Sequence, residues 1–139
     1  MTVNYSPGHA SREQLDNLCD DMVLVTMLAY RYSEVDFSVV QTRRTEDEQR
    51  ANMNADPPVS WTMDSDHLYS DEYCERGGVL AEDIYPWVNG QTNHDPKYYM
   101  LIAKAMFRAA GELGVEIKWG GFWKGDRRDY PHFAKRRST

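Results

Sequence analysis

Leu15, Leu18, Met22, Val25 and Ala29 follow one another at intervals of three and four residues, the spacing of a single helix face. Ser11-Arg12-Glu13-Gln14 just before them has the form of a capping box, so the pattern predicts one long helix to about Tyr32. Asp36 to Thr42 is short, β-branched and aromatic, with Phe37, Val39 and Val40, and reads as a strand ending at the Arg43-Arg44 pair. Thr45 with Glu48 three residues on forms a second capping box, which opens a helix that Pro57-Pro58 should end. Ser60 to Ser70 is loop-like. Asp71 to Arg76 is strongly polar and is followed by Gly77-Gly78, and Val79 to Tyr85 returns to a strand pattern. Asp95-Pro96 supplies an N-cap and a first-turn proline for a helix with Leu101, Ile102, Ala105, Met106, Ala109 and Leu113 as its apolar stripe; Gly114 ends it. Val115 to Trp119 predicts a further strand, and His132-Phe133 a last one. Interspersed helices and short strands, without an internal repeat or linker, predict an α+β fold: a small antiparallel sheet with helices packed against it and a cleft across it.

A length of 139 residues allows one domain, 1–139, and is short for two. No apolar run approaches the roughly 18 residues of a membrane helix, so stable membrane insertion is not expected. Met1 to Ala10 lacks the basic start and apolar centre of a secretory signal, which predicts a protein retained in the cytoplasm where it is made. The formal charge of −6 is uneven. Lys118 to Thr139 carries seven Lys or Arg against two Asp, leaving −11 on the rest. An acidic body argues against nucleic acid as a partner, and the Lys135-Arg136-Arg137 tail is expected to be frayed and solvated. Cys19 and Cys74 are too few for a disulfide framework and are not spaced as a zinc pair, so both are expected as free thiols. A monomer is expected.

The candidate chemistry begins at Asp129-Tyr130-Pro131-His132. On extended or turning backbone, with Pro131 fixing φ before the histidine, a carboxylate and an imidazole three residues apart can be aimed into one cavity without competing for the same point. The histidine can then bind a metal while the aspartate handles the proton of an activated water. Asp83 lies between Ala81 and Ile84, and a buried carboxylate there needs a partner such as a metal. His67, Asp83 and His132 together give two imidazoles and a carboxylate, leaving one position of a tetrahedral zinc open, as in a catalytic site. His9, in a polar N-terminus, and His94, before a helix N-cap, are poorer candidates. Arg44 sits at a strand-to-helix corner, where a charged side chain can reach across a site.

These segments, taken in order, resemble the zinc metallopeptidases that include D-alanyl-D-alanine carboxypeptidases and the L-alanyl-D-glutamate endopeptidases of bacteriophage endolysins. Phe37 to Gln49, with Arg44-Thr45 and Gln49, is similar to the family's strand, Arg-Thr and Gln segment. Thr62 to His67 is similar to its Ser-x-His segment, Ala81 to Gly90 to its Ala-x-Asp segment, and Lys118 to Phe133 to its Trp-Gly-Gly-x-Trp and Asp-x-x-His-Phe end. The resemblance implies the D-Ala-D-Ala metallopeptidase, or hedgehog-like, fold, with Zn2+ on His67, Asp83 and His132. It further implies Asp129 as catalytic base and Arg44 as stabiliser of the developing oxyanion, with Ser65, Trp119 and Trp123 touching substrate. The implied activity is hydrolysis of peptidoglycan stem peptides by a phage endolysin cutting the L-alanyl-D-glutamate bond. It would be held in the host cytoplasm until the membrane opens, with no separate wall-binding domain. A D,D-carboxypeptidase or dipeptidase, and a non-catalytic zinc-containing wall-binding or structural protein, are the alternatives.

Two departures stand out. His67 and Asp83 are sixteen positions apart, wider than the family's Ser-x-His-x-x-Gly-x-Ala-x-Asp. An insertion of roughly nine residues about Tyr69 to Gly77 would account for this at little cost in closure entropy. That loop holds Asp71, Glu72 and Glu75, so it is expected to be solvated and mobile at the cleft rim, as a lid or a filter of substrates. Phe122 stands where an acidic or amide residue is usual, so a hydrogen bond beyond the metal ligands is expected to be missing.

Overall fold

A computed structural model describes residues 4–56, 58, 60 and 62–137. Helices α1 (His9–Leu15), α2 (Asp20–Tyr32), α3 (Glu46–Asn54) and α4 (Pro96–Leu113) are combined with strands β1 (Asp36–Gln41), β2 (Ala81–Val88), β3 (Gln91–Thr92), β4 (Ile117–Trp119) and β5 (His132–Lys135). All pairings are antiparallel, in the order β1-β2-β5-β4, with β3 on the end of β2. Helices α2 and α4 pack on each other and cover one sheet face, where Met22, Val25, Ile84, Ile102, Met106 and Phe133 are fully buried. The expected α+β architecture is the one found.

Several elements follow their local chemistry. Thr45 and Glu48 form the reciprocal capping box of α3. Asp95 caps α4, Pro96 occupies its first turn, and Gly114 closes it in the left-handed region at φ 69°, where glycine avoids the Cβ penalty. Helix α3 has already ended at Asn54; of the Pro57-Pro58 stop, Pro57 lies outside the described residues.

The first helix departs from expectation. Residues 9–32 form two helices rather than one, and Ser11 and Gln14 do not cap either. Ser11 Oγ accepts the Val39 N–H at 3.0 Å, and Gln14 Oε1 accepts the Thr42 N–H at 3.0 Å. Helix α1 therefore covers the outer edge of β1, whose donors would otherwise be open. Between the helices Cys19 N–H donates to Val79 O at 2.8 Å, and Val79 N–H to Asn17 O at 3.0 Å. Gly78, at φ 136°, has a Cβ position only 3.2 Å from Asn17 O and Cys19 N, so the chain passes this closely because the residue has no side chain. Tertiary backbone pairing breaks the helix that periodicity alone would continue.

The same contact carries a covalent link. Cys19 and Cys74 are joined as a disulfide, with Cα atoms 5.6 Å apart, and both are buried beside Leu80 and Tyr73. This corrects the expectation of free thiols, because nothing in the spacing of two cysteines reports that the chain returns to itself. The 69–77 loop, expected to be solvated and mobile, is exposed at Asp71, Glu72, Glu75 and Arg76 and is tied to the body at two points. Ser70 N–H donates to Gly78 O at 2.8 Å, so residues 71–77 form a closed excursion anchored at its base by backbone and at Cys74 by sulfur. The C-terminal run is not frayed through Arg137 either. Lys135 lies on β5 and reaches Asp21 at 2.8 Å, while Arg137 pairs with Asp64 at 2.7 Å and Asp66 at 2.9 Å.

Glu82, fully buried on the helix-covered side, accepts the Thr26 hydroxyl at Oε2 at 2.7 Å, while Oε1 has no partner. Burial pushes its carboxyl up to about 8; the Thr26 bond opposes this and the Asp83 charge adds to it. The folded state therefore holds a proton that the unfolded chain releases near 4.5. The associated stability is complete below that pH and is lost as pH rises through about 8.

Two outcomes are expected. The disulfide closes a 55-residue separation, so reduction, or the Cys19→Ser/Cys74→Ser variant, should lower stability by about 4 kcal/mol on the chain-entropy scale. Denaturant melts of oxidised and reduced protein check this, and coincident curves would contradict a structural bond. In metal-free protein, Glu82→Gln should gain stability over wild type as pH rises from 5 to 8, by about 3 kcal/mol. A pH-independent difference would show that Glu82 is ionised in the fold.

Candidate active site

In the β2–β5 ladder Asp83 is directly opposite His132, and residues directly opposed across strands share a sheet face. The carboxylate and imidazole therefore emerge together on the face opposite Glu82. The bulge between Val39 and Gln41 brings Gln41, rather than Val40, opposite Asp83, a local re-aiming that bulges commonly provide beside sites.

His67 comes from the loop and is held at several points. Its backbone carbonyl accepts the Arg44 N–H at 2.8 Å, and the carbonyl of Asp66 accepts the N–H groups of Leu80 and Ala81 at 2.9 and 3.0 Å. Nδ1 of its ring lies 2.7 Å from Thr42 O. A carbonyl can only accept, so Nδ1 carries the proton and Nε2 presents a lone pair. Thr42 is in turn fixed by Gln14, so a side chain of α1 supports the imidazole through one intermediary.

Asp83 Oδ1 lies 3.5 Å from His67 Nε2 and 3.6 Å from His132 Nδ1. These separations exceed a hydrogen bond. They match the edge of about 3.4 Å between donors placed tetrahedrally at 2.0–2.2 Å from an ion. Donor atoms of all three residues lie within 4.8 Å of one another, and Asp83 Oδ1 is buried without a hydrogen-bond partner. The cluster thus fits a metal ion on chemistry and on geometry. Burial pushes the Asp83 carboxyl up, but the two imidazoles outweigh it and hold the group below the usual carboxylate range.

Asp129 is placed beside this cluster by a turn. Its N–H donates to Gly120 O at 2.9 Å, and its carbonyl accepts the His132 N–H at 3.2 Å. A Cβ at Gly120 would collide with the Asp129 carbonyl, so glycine at this position sets how close the two segments come. Burial raises the Asp129 carboxyl and the charge of Asp83 raises it further, against His132, His67 and Arg44. Arg44 is buried at 9% exposure; its NH1 donates to Gln49 at 2.6 Å and its NH2 to Gln41 at 2.9 Å. Burial draws its pKa down while Asp83, Glu48 and Asp129 support its charge, and its Nε–H is left without a partner.

A cavity of about 620 Å³ joins these groups, and Ser65, Tyr85, Lys118, Trp123 and Arg128 also line it. Ser65 accepts the His67 N–H at 3.2 Å, and the Trp123 ring lies 5.0 Å from that of His132. Trp119, expected to touch substrate, instead lies in the core. It stacks on Phe133, donates its Nε1–H to Tyr130 O at 2.7 Å, and is not part of the cleft wall. Phe122 is exposed against Phe107 and Trp119 and also leaves the cleft unlined. His9 pairs with Glu13 on the surface, and His94 bonds Tyr99; neither joins the cluster. Tyr85 is a residue the motifs do not single out. The period of two along β2 places it on the Asp83 face.

The sequence profile of phage L-alanyl-D-glutamate peptidases matches residues 1–137. The chain is 27% identical over 131 residues to the L-alanyl-D-glutamate peptidase of Escherichia phage T5, covering 91% of this chain and 89% of that protein. Among solved structures it is similar to the L-Ala D-Glu endopeptidase ChiX of Serratia marcescens, with a TM-score of 0.81 and 34% identity, over 97% of this chain and 91% of the other.

His67→Ala or His132→Ala would leave two donors at the cluster, so either variant should lose stoichiometric metal binding at neutral pH. Metal content after dialysis checks this, and retention of one ion per chain by His67→Ala would exclude that histidine as a ligand.

Proposed function

The chain belongs to the phage L-alanyl-D-glutamate peptidase family, and on that footing we propose that it is a zinc-dependent endopeptidase that cuts the L-alanyl-D-glutamate bond of peptidoglycan stem peptides as a phage endolysin. The observation carrying the reading is the three-donor cluster around the unpartnered Asp83 oxygen, with a separate carboxylate, Asp129, beside it. Zinc held by His67, Asp83 and His132 would polarise the scissile carbonyl and lower the pKa of water at its open position.

The remaining work falls to side chains. Asp129 takes the proton of the attacking water as its oxygen bonds to the alanyl carbonyl carbon. The rise that burial and Asp83 impose on its carboxyl makes it a better base than an ordinary surface aspartate. Arg44, fixed by two glutamines and with one N–H unengaged, offsets the charge developing on the carbonyl oxygen. As the C–N bond breaks, Asp129 returns its proton to the departing glutamyl amine. Ser65 and Trp123 border the path of the peptide. Asp64, Asp66, Lys118 and Arg137, paired at its edge, hold the His67 loop. Among the described residues no helix is long and apolar enough to cross a membrane.

Mass spectrometry of purified peptidoglycan digested with the zinc-loaded protein should show new glutamyl amino termini. Release of terminal D-alanine alone would favour the carboxypeptidase alternative, and intact wall the non-catalytic one. Asp129→Asn should retain zinc while turnover falls by about a hundredfold or more; near-normal turnover would remove Asp129 as the base.

A further inference from the structure

Arg128 is an exposed cation without a carboxylate of its own. Its Nε–H donates to Trp123 O at 3.2 Å and NH1 to the Tyr130 hydroxyl at 3.5 Å, with the guanidinium carbon 5.9 Å from the Tyr130 ring centre. These partners are neutral. Among the described residues Arg128 forms no ion pair, whereas Lys118, on the same cavity, is 2.6 Å from Asp66. Its NH2 also makes no hydrogen bond among the described residues, so much of the planar fork that suits a carboxylate stays open.

Its position gives this charge a use. Arg128 lines the cavity and directly precedes Asp129. The carbonyl that orients it belongs to Trp123, whose ring lies against that of His132. The cation is thus held by the turn that presents the proposed base. A glutamyl residue on the leaving side of the bond has two carboxyl groups. Only one continues the peptide, so the other remains a free anion near the reacting centre.

We propose that Arg128 binds this free glutamyl carboxylate and makes the cleft selective for an anionic over an amidated glutamyl residue. The assignment rests on the endopeptidase reading above. A bound carboxylate would replace water around a guanidinium whose Nε–H is oriented by Trp123 O, leaving its NH2 edge to pair with the anion.

The test uses zinc-loaded wild type, Arg128→Gln and Arg128→Lys with three synthetic stem peptides: unmodified, amidated at the glutamyl carboxyl, and amidated at the C-terminus. Wild type should favour the unmodified peptide over the glutamyl amide by about ten- to a hundredfold in kcat/KM, the scale of a charge-assisted hydrogen bond, with the difference mainly in KM. Arg128→Gln should lose that preference by failing on the unmodified peptide alone, with Arg128→Lys intermediate and zinc content unchanged. An equal loss on all three peptides would reduce Arg128 to a structural role and overturn the proposal. A preference abolished only by C-terminal amidation would overturn it in favour of a different carboxylate. If wild type cleaved none of them, the endopeptidase reading would fail, and the Arg128 assignment with it.

Discussion

The direct opposition of Asp83 and His132 in the β2–β5 ladder is the constraint on which the site depends. Antiparallel pairing decides which side chains share a face without reference to any ion. Once the register is set, two donors converge and only the third has to be supplied from a loop. That loop is secured by the Leu80 and Ala81 N–H groups at the start of β2, by Thr42 O after β1 and by the Arg44 N–H. Most of the ordering needed to hold an ion is therefore completed when the sheet forms. What folding leaves unresolved is electrostatic, a buried carboxylate oxygen without a hydrogen bond.

The separation of charge along the chain acquires a structural meaning here. The basic end lies against the acidic loop: Arg137 spans Asp64 and Asp66, and Lys118 takes the other oxygen of Asp66. Exposed pairs contribute little singly, but Asp66 is almost buried and shared between two cations, a setting in which coupled pairs count for more. The strand carrying His132 thus continues into a residue that steadies the loop carrying His67.

Features written locally were the legible ones. Helix α4 could be bounded from Asp95, Pro96 and Gly114 because cap chemistry involves neighbours in sequence. The three donors could be nominated because few side chains suit a metal, and ordered motifs narrowed them further. Ser11 and Gln14 misled because a hydroxyl and an amide that cap a helix can equally bond a strand. Cys19 with Cys74, Arg137 with Asp64, and Trp119 with Phe133 are long-range choices. No periodicity encodes them, so the disulfide, the anchored tail and the buried tryptophan emerge only from the fold.

The Ser70–Gly78 closure separates two lengths that usually go together, the distance along the chain and the distance across space. Because the excursion returns to its own starting point, the number of residues between His67 and Asp83 does not set their separation in space. The wide ligand spacing is then taken up on the outside of the molecule, and the base of the excursion is a natural graft point for a peptide tag or binding segment that keeps Cys74.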